Sequence, residues 1–198
     1  QNPDVPGMAP LERPAPSMSF PTAEDGSPVA SERAQALGRR VLEANARLGH
    51  LTPEQLARAQ VGGPGPDAEQ VALDAASRAM GFDTGWMDAG TRLRGMGAAS
   101  DGSTIVFDRN ASSGERLFAL TIHEWTHAVR SLDGRPRENW NRYRDRLRAT
   151  LPELYDASEE TAREARKAFG IELDADTAEN EAVATATESL GGFLRFAY

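Results

Sequence analysis

The chain has 198 residues, of which 39% are hydrophobic, so it can bury a sizeable core and we expect one main domain. Its formal net charge of −8 argues against a general nucleic-acid binder. The absence of cysteine excludes disulfide bonds and a cysteine nucleophile. No apolar stretch approaches the length of a membrane span, so we expect neither nucleic acid nor membrane as a partner.

The N-terminal part of the chain differs in composition from the rest. Residues 1–29 contain seven of the twelve prolines together with scattered serine and glycine. Such a segment buries too little apolar surface to fold by itself, which predicts a disordered arm or linker. We therefore expect a single domain at residues 30–198.

After the arm, the sequence predicts several helices and one strand. Helices are predicted from Ser31 to Leu48, from the Thr52-Pro53 start, and from Asp67 to about Met80, with a glycine- and proline-rich break at residues 62–66. Residues 103–108 read Ser-Thr-Ile-Val-Phe-Asp, a short β-branched strand. Together these elements predict an α+β fold that is predominantly helical.

The next predicted helix carries the most informative residues of the chain. It begins near residues 112–114 and ends at Asp133-Gly134. Apolar side chains at helical spacing predict a buried stripe, with Trp125 in the core, consisting of Phe118, Ile122, Trp125, Val129 and Leu132. The two histidines of this helix then lie on a neighbouring face that can border a cleft.

Residues 123–127 read His-Glu-Trp-Thr-His, which is an H-E-x-x-H motif. On a helix, His123 and His127 share one face with Cβ atoms roughly 5–6 Å apart, so both imidazoles can bind one Zn²⁺ ion. Glu124 lies beside the metal, where it can take a proton from the attacking water and return one to a leaving amine. The motif therefore predicts zinc-dependent hydrolysis, with Glu124 as the catalytic residue.

The motif and its surroundings resemble the zincin metalloproteases. Residues 120–129 match the extended zincin pattern, with uncharged residues flanking the histidines and an apolar residue two positions after the second. The resemblance implies that an edge strand before the active-site helix pairs with the substrate backbone, and it assigns that role to residues 105–108. Strand addition binds extended peptides with little dependence on their sequence.

A catalytic zinc site needs a third protein ligand, and three carboxylates compete for that role. Residues 180–183, Asn-Glu-Ala-Val, resemble the gluzincin segment whose glutamate completes the site, which favours Glu181. Asp176 and Glu179 resemble a capping box, so Glu179 is expected to cap its helix. Glu188 lies on the same helical face as Glu181 and stays an alternative ligand. Asp133 is a weaker alternative, because Arg130 replaces the glycine with which metzincins turn the chain back.

The C-terminal third of the chain is predicted to be helical. One helix spans Glu138 to Thr150, with Trp140, Tyr143 and Leu147 facing inward, and another spans Leu154 to Phe169 and ends at Gly170. The segment at residues 191–198 packs by its aromatic side chains, and Arg195 or Tyr198 could reach the zinc as stabilisers of an oxyanion.

More narrowly, the order of strand, H-E-x-x-H helix and glutamate-bearing helix resembles the NleD-like effector metallopeptidases of pathogenic bacteria. The resemblance implies an endopeptidase that cleaves a protein or peptide substrate and is secreted or translocated into a target cell. Two alternatives stay open: a regulatory bacterial protease that cleaves a repressor, and a non-catalytic binding module stabilised by zinc.

Overall fold

The computed structural model describes residues 29–63, 67–94, 97–110, 114–167, 170 and 172–197. The predicted arm at residues 1–29 lies outside the described residues, except for Val29. Seven helices and four strands occur in the described part, and they confirm the predominantly helical α+β fold. In chain order they are α1 (Glu32–Arg47), α2 (Pro53–Arg58), β1 (Gln60–Gly62), α3 (Ala68–Ala79), β2 (Asp83–Asp88), β3 (Ala98–Asp101), β4 (Thr104–Asp108), α4 (Gly114–Ser131), α5 (Arg135–Thr150), α6 (Pro152–Lys167) and α7 (Ala175–Ala197).

The early helices begin where the sequence predicts, and side chains explain why. The Ser31 side chain accepts a hydrogen bond from the backbone N–H of Ala34 at the start of α1. At α2, Thr52 and Gln55 form a reciprocal capping box, and Pro53 occupies the first turn. Each cap satisfies backbone groups that the first helical turn leaves without an intrahelical partner.

The four strands form one mixed sheet in the order β1-β2-β4-β3. The strand β4 is parallel to β2 and antiparallel to β3, so it lies inside the sheet. The prediction that residues 105–108 form an edge strand is therefore wrong. Every residue of β4 is buried, and its unbroken apolar run is typical of a strand covered on both faces. The edge strand next to β4 is β3, a short Ala-Ala-Ser-Asp segment that hydropathy does not mark as a strand.

Helices cover both faces of the sheet. On one face, α1 packs against Met87 and Val106, and the absence of a side chain at Gly38 lets the helix lie close to β1 and β2. On the other face, Trp86, Ile105 and Phe107 meet α4. Successive side chains of β2 and β4 point to opposite faces of the sheet, so these two strands contribute residues to the apolar clusters on both faces. Helices α5, α6 and α7 form a third apolar cluster beyond α4.

Helix α4 is buried on a face that is rotated from the predicted stripe, although Val129 and Leu132 pack against the sheet core as predicted. Leu117, Thr121 and Ala128 are almost fully buried, whereas Phe118 is 38% exposed, so the prediction for Phe118 is wrong. The reason is that α4 lies between the sheet and α7, and small side chains are needed where it approaches both. The buried Thr121 hydroxyl donates to the Leu117 carbonyl. Trp125 packs against the sheet core as predicted and donates its indole N–H to Ser77.

The later helices follow the prediction with shifted boundaries. Helix α5 begins at Arg135, earlier than predicted, with Trp140 and Leu147 buried as expected and Tyr143 at the surface. After α6, Gly170 has a φ of 70°, the left-handed conformation predicted for a glycine that ends a helix. In the described part of the chain, none of the helices combines the length and the apolar character that crossing a bilayer requires.

Replacing Gly38 by leucine should destabilise the fold. A Cβ atom at this position would lie 2.7 and 2.8 Å from the two Cγ atoms of Val61, a stiff β-branched side chain. We expect the free energy of unfolding to fall by about 1–3 kcal/mol, measured by urea denaturation. Gly62→Leu is the matched control, because no atom lies within 4 Å of a Cβ built there. Equal stability of the two variants would contradict the close packing of α1 on the sheet.

Candidate metal centre

Three potential metal ligands come together from two helices. His123 and His127 lie one turn apart on α4, and Glu181 lies near the start of α7. In the described residues these three side chains form the one group of histidines and carboxylates close enough to hold a metal ion, with all ligand atoms within 4.8 Å of one another. The structure therefore brings together the three ligands that the sequence favours.

The spacing of the donor atoms suits a small divalent cation. The two Nε2 atoms are 3.0 Å apart, and the Oε2 atom of Glu181 lies 3.4 Å from His123 Nε2 and 3.7 Å from His127 Nε2. Ligands at 2.0–2.1 Å from a tetrahedral metal are separated by about 3.3–3.4 Å. The three distances scatter around that value, so the spacing of the donor set is compatible with such an ion.

Glu188 approaches the other nitrogen of His123. Its Oε2 atom lies 3.1 Å from Nδ1, which donates the hydrogen bond because a carboxylate can only accept. A proton held at Nδ1 leaves the Nε2 lone pair free toward the metal, and such a partner also fixes the plane of the ring. Glu188, the alternative ligand, therefore contacts the side of the His123 ring that faces away from the ligand group. Asp133, the weaker alternative, is exposed at the end of α4 and does not belong to the ligand group.

Helix α7 begins differently from the prediction, which changes the reason for excluding Glu179. The first turn is capped by Asp174, whose Oδ1 atom accepts from the backbone N–H of Thr177 at 2.7 Å. The predicted capping box of Asp176 and Glu179 is wrong, because the helix starts one residue before Asp176. Glu179 instead forms ion pairs with Arg144 and Arg148 on α5, at 3.1 and 2.9 Å.

The outer oxygen of Glu181 is held by an arginine that the sequence does not single out. Arg166 on α6 donates from Nη2 to Glu181 Oε1 at 2.6 Å, while Oε2 faces the histidines. Arg166 occurs in a charged helix whose one other arginine, Arg163, pairs locally with Glu159. Helical periodicity does not distinguish Arg166 from Arg163. The difference arises from the packing of α6 against α7.

The electrostatics of the group favour a bound cation. Burial lowers the pKa of His123, but hydrogen bonds to Glu181 and Glu188 and the nearby Glu124 outweigh it and raise the pKa to about 10. Burial raises the pKa of Glu181, and hydrogen bonds with both histidines outweigh it, so that this pKa lies well below its usual range. The group contains three carboxylates, those of Glu124, Glu181 and Glu188, and one guanidinium, that of Arg166. A divalent cation bound to neutral histidines would balance the remaining two negative charges.

Glu124 lies beside the ligand group and outside it. Its side chain is almost fully buried, and its Oε2 atom has no hydrogen-bond partner among the described residues. The same holds for His127 Nδ1 and for Oδ1 of Asn180, two atoms of residues that border one cavity. Buried polar atoms without partners are costly. The described residues contain others away from this cavity, such as Trp86 Nε1, but Glu124 is the one carboxylate among them.

Two cavities open on either side of these residues. One of about 260 Å³ is bordered by β3, Glu124, His127, Arg166 and Glu181. The other, of about 330 Å³, has a more apolar wall formed by Leu120, Ala162 and Ala165. The side chains of Arg195 and Tyr198, predicted to stabilise an oxyanion, lie outside the described residues.

The outer edge of β3 offers free backbone groups to the first cavity. In an antiparallel pair of strands, opposed residues alternate between hydrogen-bonded and non-hydrogen-bonded pairs. Asp108 N–H donates to the Gly97 carbonyl, so these two residues form a hydrogen-bonded pair, and the next such pair along the strands is Ala99 with Val106. The N–H and C=O groups of Ala98 and Ser100 consequently point away from β4. Both residues border the cavity that contains Glu124 and His127.

A comparison of the chain with protein-family models, with curated proteins and with solved structures found no match. Function therefore has to be inferred from the chain's own residues and their geometry.

Removing the carboxylates of α7 one at a time should separate their roles. We expect Glu181→Ala to weaken divalent-metal binding by more than about 100-fold, because a ligand is lost, and Glu188→Ala to weaken it by about 10- to 100-fold, because only the orientation of His123 is lost. Glu179→Ala, the control on the same helix, should leave binding unchanged. Chelator competition measures the three affinities. A larger effect at Glu188 than at Glu181 would reverse the assignment.

Proposed function

We propose that this chain is a zinc-dependent endopeptidase of the zincin type. The single observation that carries the proposal is the arrangement around residues 123–127: two imidazoles and Glu181 converge on one point, and Glu124, whose Oε2 atom has no partner among the described residues, lies beside it. The resemblance to gluzincins in sequence and the separation of the donor atoms support the same ligand set independently.

Zinc suits the donor set better than the other common divalent ions. Two imidazole nitrogens and one carboxylate oxygen are typical catalytic zinc ligands, whereas magnesium and calcium prefer sites made of oxygen alone. Three protein ligands also leave a position for water and substrate. When bound, the ion supplies Lewis acidity: it lowers the pKa of a coordinated water and polarises the substrate carbonyl.

Glu124 performs the proton transfers in this proposal. Its carboxylate is acceptor-only when ionised, it is shielded from solvent, and one of its oxygens is not engaged by the protein. It accepts the proton of the water that attacks the scissile carbonyl and then donates a proton to the departing amine nitrogen. Glu188 holds the His123 ring in place during both steps.

The substrate in this proposal is an extended peptide segment added to the edge of β3. The outward backbone groups of Ala98 and Ser100 bind its main chain, and an antiparallel segment would carry its scissile bond past Glu124. Capture of a substrate's C-terminal carboxylate would require a free cation in the cleft. Apart from the histidines, Arg166 is the one basic side chain at the described walls of the two cavities, and Glu181 occupies it. The cleft therefore does not favour a substrate that is held by its C-terminus.

The resemblance to NleD-like effectors adds to the proposal where such a protease would act and what it would cleave. A protease of this kind would be secreted or translocated and would cleave a protein of the target cell. A regulatory protease that cleaves a repressor would use the same chemistry, whereas a zinc-stabilised binding module would hold the ion without cleaving peptides.

Replacing Glu124 by glutamine should abolish proteolysis without affecting zinc or fold. The amide fills the same space but cannot accept the proton of the attacking water, so we expect the cleavage rate to fall at least about 100-fold. Cleavage of a library of unstructured peptides, followed by mass spectrometry, measures activity, and elemental analysis measures zinc. Glu172→Gln, an exposed position before α7, is the control. A wild-type protein that binds zinc but cleaves no peptide would favour the binding module.

Replacing Ser100 by proline should weaken substrate binding while the sheet stays intact. The Ser100 N–H points away from β4, so proline removes a donor to the substrate and no bond of the ladder. We expect KM to rise about 2- to 10-fold, the effect of one hydrogen bond, with unchanged zinc content. Ser100→Ala keeps the N–H and should behave as wild type. Identical KM values for the two variants would argue against substrate addition at β3.

A further inference from the structure

Arg166 contacts the metal-binding group without belonging to it. Its Nη2 atom bonds to Oε1 of Glu181 at 2.6 Å, and the other carboxylate oxygen, Oε2, is the one that faces His123 and His127. Arg166 comes from α6, a helix that supplies none of the three ligands, and its side chain is 31% exposed at the wall of the cleft. The two oxygens of Glu181 are thus assigned to different partners.

We propose that Arg166 is a positioning residue that restricts Glu181 to a one-oxygen contact with the metal. This inference rests on the proposed zinc site. By holding Oε1, the guanidinium keeps that oxygen from turning toward the ion, and a coordination position stays open for water and for the substrate carbonyl. The proposal concerns the number of ligand atoms at the metal, a property that neither the motif nor the identity of the third ligand determines.

The physical reason lies in the burial of Glu181. Its side chain is only 12% exposed, so an unbonded oxygen of this carboxylate would lose its hydration without compensation. A charge-assisted bond from arginine is among the stronger ways to satisfy such an oxygen. Arg166 is the one cation that the described residues pair with Oε1, so its removal leaves a bound metal as the partner for that oxygen. Carboxylates bind metals through one oxygen or through both, so a second metal–oxygen contact would follow.

Metal affinity alone cannot test this inference, because two effects of losing Arg166 oppose each other. Removing a positive charge close to the ion strengthens binding, whereas freeing the carboxylate weakens it. The coordination number has no such ambiguity. A contact through one oxygen, two imidazoles and a water gives four ligands, whereas a contact through both oxygens gives five.

The test compares Arg166→Met with wild type after the metal has been replaced by Co²⁺, whose visible absorption is strong in four-coordinate and weak in five-coordinate sites. We expect a marked loss of absorption in Arg166→Met and recovery in Arg166→Lys, which restores a charged donor. With zinc, kcat should fall about 10- to 100-fold in the methionine variant while KM changes little. Arg163→Met is the matched control, because this arginine of the same helix pairs with Glu159 and with the Leu173 carbonyl.

The outcomes separate this inference from the proposed function. Equal Co²⁺ spectra and equal kcat for Arg166→Met and Arg163→Met would overturn the role of Arg166 and leave the zinc protease standing. A wild-type chain that binds neither ion would overturn both. Thermal melting checks that each variant is folded. If Arg166→Met is not folded, Arg166→Gln, which also lacks the charge but stays polar, is judged by the same spectra and the same kcat.

Discussion

The contact between α4 and α7 is the feature on which the rest of the site depends. Gly191 of α7 leaves room for Ile122 of α4, because a Cβ atom at this position would lie 2.8 Å from Ile122 Cδ1. Close approach of the two helices lets polar side chains on one flank of the contact converge. Because Arg130 pairs with Asp176 while His123 meets Glu188, the helices run antiparallel, and this direction brings Glu181 opposite both histidines.

The same contact explains why two glutamates on α7 serve one histidine in different ways. Glu181 and Glu188 are seven residues apart on one helical face, about 10 Å along the axis, so both cannot reach the metal position. An imidazole has nitrogens on opposite sides of its ring, and each glutamate approaches one of them. Glu181 is the better placed of the two for a ligand role, since that residue also lies near His127.

The grouping of His123, His127 and Glu181 that the sequence predicts depends on local spacing, and the contacts that it misses depend on packing. The positions of His123, Glu124 and His127 follow from helical periodicity, and the choice of Glu181 followed from its neighbours in the sequence. The edge position of β3 and the bond from Arg166 depend on how distant segments meet, which no local pattern encodes. Phe118 shows the same limit, since periodicity identifies an apolar stripe but does not say which side of α4 faces α7.

The buried carboxylates of the described residues are satisfied away from the cleft and incompletely satisfied at it. Away from the cleft, the buried carboxylate of Asp74 bonds to Arg78 and Thr84, and that of Asp108 accepts from the backbone N–H groups of Leu93 and Asn110. At the cleft, Glu124 is buried with a free oxygen. A protein that satisfies its buried carboxylates elsewhere has no structural reason to leave this one unpartnered. The cost is understandable where a carboxylate must stay available to a proton, which is the task that the H-E-x-x-H motif assigns to Glu124.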